Sequence, residues 1–177
     1  MKVLLLNGSP RKEGCTFTAL SEVAKTLNQN GIDTEIFQAG DPDKDNVKAA
    51  AAKLKEADAL VVGSPVYWAS PTGQIIEYML NKPAAAVASA RRAGTTATLD
   101  VLQKYFSYHE MPVVSANYWN MVHGNTPAEV QQDEEGLQIM RTLGSNMAWL
   151  LKCIEAGKAA GITTPQAEDK IKTNFIR

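Results

Sequence analysis

The chain has 177 residues, 45% of them hydrophobic and 21% charged, a balance that suits one compact domain because single cores split only beyond roughly 250 residues. Its 18 basic and 19 acidic side chains leave a net charge of −1, so no overall electrostatic footprint invites a polyanion and nucleic-acid binding is disfavoured. The longest apolar stretches, Val3–Leu6 and Pro83–Ala90, fall far short of the ~20 residues that span a bilayer, and the amino-terminal run is too short for a signal peptide. A cytoplasmic address without membrane contact is expected. Two cysteines, Cys15 and Cys153, cannot build a four-thiolate metal site within one chain, and such sparse usage fits a reducing compartment.

Val3–Leu6 is a continuous apolar run stopped by Asn7-Gly8-Ser9-Pro10, the pattern of a strand buried on both faces and ended by a turn. Phe17, Leu20, Val23, Ala24 and Leu27 then recur at helical spacing up to Asn30-Gly31, where glycine is the expected stop. The unit repeats. Ile32–Phe37 reads as strand, Val47, Ala50, Ala51 and Leu54 as a helical face, Ala59–Val62 as strand, and Thr72–Leu80 as a short helix. Pro83–Ala88 resumes as strand, Leu99, Leu102 and Phe106 mark a fourth helix, and Pro112–Ser115 a fifth strand. Leu137, Met140, Gly144, Met147, Leu151 and Ile154 form the face of a long last helix. Alternation with short connections predicts an α/β domain over residues 1–160: a doubly wound, five-stranded parallel sheet of flavodoxin-like order 2-1-3-4-5, with helices on both faces. Residues 161–177 read as a polar tail that could dock on a partner subunit.

In open sheets of this kind ligands bind beyond the carboxyl ends of the strands, which directs attention to the loops after strands one, three and four. The first, Asn7 to Thr18, joins small residues, hydroxyls and base at a helix start, where free N–H groups and the positive dipole end suit a phosphate. Ser9, Thr16 and Thr18 add hydroxyls and Arg11 adds charge. Five residues separate Gly8 from Gly14 and no Lys-Ser or Lys-Thr pair follows, so this is not a Walker loop. Cys15 lacks a closing arginine through Ser21, which argues against a phosphatase nucleophile. The bland alternative is an ordinary turn into a capped helix.

The second loop, Gly63 to Gly73, places Tyr67 and Trp68 between two prolines, a stiff wall for a flat heterocycle; surface packing or a subunit contact is the alternative. The third, Ser89 to Thr96, carries Arg91 and Arg92 with Gly94 and two threonines. It suits the polar edge of the heterocycle or the phosphates of a second nucleotide, or it is a solvated basic turn. Together the three loops point to a mononucleotide with a planar ring.

These same motifs, Gly8-Ser9-Pro10-Arg11 with Gly14 and Thr16, Gly63-Ser64-Pro65-Val66-Tyr67 to Gly73, and Ser89-Ala90-Arg91-Arg92-Ala93-Gly94-Thr95-Thr96, resemble those of the flavodoxin-like NAD(P)H-dependent FMN reductases, in particular the subgroup related to iron-sulfur flavoproteins. Asn117 to Gly124 and the final helix from Asp133 extend the resemblance over nearly the whole chain. By that resemblance Ser9, Arg11, Cys15, Thr16 and Thr18 hold the FMN phosphate, Pro65, Val66, Tyr67 and Trp68 contact the isoalloxazine, and Ser89, Arg91, Arg92 and Gly94 lie along its other edge. The family commonly has Asn where Cys15 stands. Only Gln38 to Asn46 separates strand two from helix two, where relatives carry a longer, cysteine-bearing loop, so an iron-sulfur centre is not expected. Asn81-Lys82 likewise replaces a longer segment near the flavin.

The resemblance implies an oxidoreductase with FMN as cofactor and NAD(P)H as co-substrate, passing electrons to a small-molecule acceptor such as a flavin or quinone. The chemistry resides on the flavin, so no side chain is expected to be catalytic and no metal is required. His123 reads as a structural residue, or as lining an acceptor pocket or an interface, and His109 as a helix end. A flavodoxin-like electron carrier, or a non-catalytic module with a degraded flavin site, are the alternative readings. Tyr118, Trp119 and Met121 form an apolar cluster in a polar region, and with the resemblance they imply a homodimer or homotetramer.

Overall fold

The computed structural model describes residues 1–39, 44–71, 82–166, 168 and 171. The five described strands are β1 (Lys2–Asn7), β2 (Asp33–Gln38), β3 (Ala59–Pro65), β4 (Ala84–Ala90) and β5 (Met121–His123). The helices are α1 (Cys15–Gln29), α2 (Lys44–Glu56), α3 (Thr95–Tyr108), the single turn α4 (Pro127–Val130) and α5 (Glu134–Ala159). The predicted helix over Thr72–Leu80 and most of the polar tail lie outside the described residues.

All pairings are parallel and the order is β2-β1-β3-β4-β5, as the alternating pattern predicts. Period-two alternation divides each inner strand between two layers. Val3, Leu5, Val61 and Val87 pack with Leu20, Val23, Leu27, Met140, Leu143 and Met147 of α1 and α5. Leu4, Leu6, Leu60 and Val62 face the other way, against Leu54, Leu99, Leu102 and Phe106 of α2 and α3. Both faces of β1 and β3 are therefore sealed, which is why they read as unbroken apolar runs. Helix α1 stops at Asn30, with Gly31 at φ 77°, and α3 ends beside His109.

The fifth strand corrects the expectation. Pro112–Ser115 does not form it: Val113 makes one isolated parallel bridge to Ala84, and the ladder resumes only where Met121 pairs with Ala88. Pro112 has no N–H to give, and the chain beyond Val114 leaves the sheet before returning. Asn120 fixes the return, donating from Nδ2 to the Ala86 carbonyl (3.0 Å) and accepting from Ala88 N (3.0 Å). The excursion carries Tyr118 and Trp119 outward, both more than half exposed and packed edge to face.

Candidate functional site

Because the strands are parallel, the ends of β1, β3 and β4 share one edge of the sheet, and the three loops singled out by sequence meet there. The β1–α1 loop is braced from within. Asn7 Oδ1 accepts from Ser9 N (3.1 Å), and its Nδ2 donates to the Lys12 carbonyl (3.1 Å) and to Gln38 Oε1 (2.8 Å). Gln38 Nε2 donates in turn to the Ser9 carbonyl (2.5 Å), while Ser9 Oγ accepts from Arg11 N (3.1 Å). The loop arches with Arg11, Lys12 and Glu13 exposed, and Gly8 N donates to the Gly63 carbonyl (2.8 Å).

Helix α1 starts at Gly14 with no side-chain cap and no acidic residue in its first turn. Among the described residues its leading N–H groups therefore meet no side-chain cap, an arrangement that suits an anion. The hydroxyls behave differently. Thr16 Oγ1 lies 2.8 Å from Ser89 Oγ in a buried pair, and Thr18 Oγ1 donates to the Gly14 carbonyl (3.2 Å). Cys15 Sγ donates to the Gly124 carbonyl (3.5 Å), and burial pushes its thiol above the ordinary thiol range. A protonated, hydrogen-bonded sulfur is no nucleophile.

At the end of β3, Val66 N donates to the Ser89 carbonyl (3.0 Å) and the chain then turns on itself. Tyr67 and Ser70 exchange reciprocal backbone hydrogen bonds (both 3.0 Å) around Trp68 and Ala69, whose φ values are 53° and 55°. Two consecutive left-handed residues are what a tight two-residue hairpin demands, and neither is glycine. Tyr67 is half-exposed and the Trp68 side chain is wholly in solvent.

The β4–α3 loop packs directly beneath that turn. Gly94, at φ 88°, is the uncapped start of α3, and a Cβ there would come within 2.7 Å of Val66 Cγ1 and 3.1 Å of Ala69 Cα. Only glycine meets both demands. Arg91 and Arg92 are exposed and form no ion pair among the described residues. Among the described residues Arg11 likewise forms no ion pair, so three exposed guanidiniums stand at this end of the sheet.

The side chains that organise this edge without appearing among the expected ligands are Asn7, Gln38 and Gly124. Asn7 and Gln38 are register partners at the ends of β1 and β2, a relationship visible only once the strands are paired. A cavity of about 600 Å³ opens at the opposite, amino end of the sheet, between Met1, Pro83, Pro112, Leu151 and Ile154. It shares no residue with the three loops.

A parallel sheet of order 2-1-3-4-5, with its braced loops at the carboxyl edge and helices on both faces, defines a flavodoxin-like protein. Solved structures agree on the fold: an archaeal flavodoxin (TM-score 0.63, 17% identity, 86% of this chain and 99% of that one), and RosB with a bound 8-demethyl-8-formylriboflavin-5′-phosphate intermediate (TM-score 0.70, 17% identity, 100% and 94%).

The pattern of the NADPH-dependent FMN reductases matches residues 1–126, and the chain belongs to that family. Two iron-sulfur flavoproteins of Methanocaldococcus jannaschii are similar: one is 29% identical over 192 positions (88% of this chain, all of the other), the second 26% over 185 (80% and 92%). An alignment of 192 positions on 88% of a 177-residue chain means that the relative has stretches this chain lacks. With only Cys15 and Cys153, the chain has no four-thiolate set of its own to match those relatives' iron-sulfur name.

Proposed function

We propose that this protein is an FMN-dependent oxidoreductase that takes electrons from NAD(P)H and delivers them to a small acceptor such as a free flavin or a quinone. The observation that carries the reading is the uncapped start of α1 beneath the braced Ser9–Arg11 arch, at the point where the crossovers from β1 and β3 leave in opposite directions. Family membership supports a flavin as the occupant of that cradle. Bound FMN would supply the redox chemistry, and the chain's residues bind and orient it.

In this reading the phosphate is held by N–H groups of the first loop with Ser9 and Arg11, while Cys15, Thr16 and Thr18 shape the cradle from behind. Ser9 fits that task, since its Oγ accepts from Arg11 N and keeps its own proton to donate. Pro65, Val66, Tyr67 and Trp68 border the isoalloxazine on one side. Ser89, Arg91, Arg92 and Gly94 follow its other edge, with Gly94 keeping the two walls in register. A cationic edge favours negative charge on a reduced ring. The exposed Tyr118–Trp119 pair supports self-association through the β5 edge, as a homodimer or homotetramer, measurable by sedimentation at micromolar concentration.

The test is titration of the purified protein with FMN, followed by anaerobic mixing with NADPH. Saturable quenching of flavin fluorescence, weakened about tenfold by Arg11→Ala, and rapid bleaching of the bound flavin are expected. Absence of FMN binding overturns the reading. Binding without bleaching leaves an electron carrier.

A further inference from the structure

We infer that His123, set against Asp133, is the acid that protonates the carbonyl oxygen of a quinone acceptor at the carboxyl edge of the sheet. The inference rests on the oxidoreductase reading above and narrows its acceptor to one that takes up a proton with its electrons.

Position comes first. His123 pairs with Ala90 on the last rung of the β4–β5 ladder, so it stands at the same edge as the three loops, with Arg91 following its register partner. The next residue fastens it on both sides. Gly124 N donates to the Ala90 carbonyl (3.0 Å), and the Gly124 carbonyl accepts from Cys15 Sγ (3.5 Å). The backbone that carries the imidazole is thus tied to the start of α1 and to the end of β4.

The second observation is the carboxylate beside it. Asp133 Oδ2 accepts from His123 N (2.6 Å) and lies 4.0 Å from His123 Nδ1, while Oδ1 accepts from Gly136 N (2.9 Å) at the start of α5. Two backbone donors therefore fix this carboxylate, and a Cβ on Gly136 would collide with it. A fixed carboxylate at one ring nitrogen orients the imidazole and leaves the other nitrogen for a reacting group. Among the described residues Nε2 has no hydrogen-bond partner, and the side chain is 42% exposed.

The third is chemical. The chain has two histidines, and His109 lies at the far end of α3, so His123 is the one imidazole at this edge. Guanidiniums, thiols and phenols, the groups of Arg11, Arg91, Arg92, Cys15 and Tyr67, hold their protons at neutral pH, whereas an imidazole exchanges its own between about pH 5 and 8. The charged groups packed around the ring are Asp133, Glu129 of α4, whose Oε2 accepts from Asn125 N (2.7 Å), and Arg91 and Arg92 beyond Ala90. Helix α1 presents the Cys15 thiol, and α3 the uncharged contact of Thr95 with Met121. A quinone that has gained a hydride equivalent from the donor carries negative charge on oxygen. The Nε2–H bond then breaks, an O–H bond forms to complete the hydroquinone, and the neutral imidazole regains a proton from water.

The FMN-loaded protein is reduced anaerobically, by NADPH and separately by dithionite, and its reoxidation is followed with benzoquinone and with ferricyanide, which takes one electron and no proton. His123→Gln should slow reoxidation by the quinone about a hundredfold and leave that by ferricyanide undiminished. The quinone rate of the unaltered protein should fall as the pH rises from about 5 to 8, and that of the variant should not. Asp133→Asn, whose amide oxygen can still accept from Gly136 N, should reproduce the loss in weaker form. A binding measurement needs no turnover: 2-hydroxy-1,4-naphthoquinone, an enolate at neutral pH, should bind His123→Gln about tenfold more weakly than the unaltered protein or His109→Gln. Equal slowing with both acceptors, an unchanged quinone rate in His123→Gln, or an unchanged enolate affinity would overturn the assignment. Reduction by dithionite but not by NADPH refutes only the donor reading and leaves the acceptor rates to decide this one; reduction by NADPH with quinone rates indifferent to His123 refutes only this one.

Discussion

The hydroxyls of Thr16 and Ser89 lie 2.8 Å apart, almost sealed from solvent, and tie the first turn of α1 to the end of β4. Between them they join the proposed phosphate cradle to the proposed ring edge across the sheet. Thr16→Val or Ser89→Ala alone strands the other hydroxyl in a buried place, at about 1–3 kcal/mol. The double variant leaves no orphan, so its loss of stability in urea unfolding should fall clearly below the sum of the single losses. Strict additivity would mean that the pair does not act as a unit.

Gly94 offers a sharper separation of causes. Alanine there meets two penalties, the left-handed backbone and the approach to Val66, and should cost about 1–3 kcal/mol with a parallel loss of FMN affinity. Adding Val66→Ala removes the closer collision and leaves the backbone strain and the 3.1 Å approach to Ala69 Cα, so stability should recover in part. Ala69→Gly should do the reverse of Gly94→Ala, relieving left-handed strain and stabilising the fold by about 1 kcal/mol. Thermal unfolding of the four proteins decides the order.

How much of this is legible in the sequence depends on the range of the interaction. Val3–Leu6 and Ala59–Val62 announce buried strands because their burial is nearly complete on both faces, and Leu20, Val23 and Leu27 announce a helix through a local period. The fifth strand is hidden for the opposite reason. Val113 and Val114 look more strand-like than Met121 and His123, but pairing is decided by Asn120 reaching Ala86, a contact no local pattern encodes. The same holds at the site. A glycine- and hydroxyl-rich loop after an apolar run marks the right edge of the sheet, whereas the partners of Thr16 and Asn7 lie 73 and 31 positions away in the chain. Thr16 reads as a ligand donor in sequence, and its hydroxyl's pairing with Ser89 becomes visible only in the fold.

Acid stability should carry the mark of Glu35. Its carboxylate on β2 lies 2.8 Å from Lys2 Nζ and 2.5 Å from Lys53 Nζ, and the hydrogen bond from Lys2, then that from Lys53, holds it below the ordinary carboxylate range. A depressed value means that the contribution is fully present above the ordinary value and is lost as the pH falls through the depressed one. Glu35→Gln should therefore lower Tm near neutrality by a small amount, since the pair is partly exposed, and the difference should vanish in acid. A gap in Tm that persists at low pH would point to packing instead of charge.

Cys15 ties chemistry to the cradle itself. Burial is the largest influence on its thiol and pushes it up, ahead of the opposing pull from the helix backbone and from Arg11. A raised value keeps the sulfur protonated at neutral pH, so alkylation should reach exposed Cys153 first, with Cys15 reacting appreciably only in more alkaline solution. Saturating FMN should slow the second reaction further. Cys15→Asn extends the argument from reactivity to binding: an amide can replace the weak Sγ–H donor to the Gly124 carbonyl and still offer a second N–H toward the phosphate. That variant should bind FMN about tenfold more tightly, as one added charge-assisted hydrogen bond to the phosphate allows. Unchanged affinity in a normally folded Cys15→Asn protein would place the phosphate beyond reach of this side chain and assign its recognition to the backbone, Ser9 and Arg11.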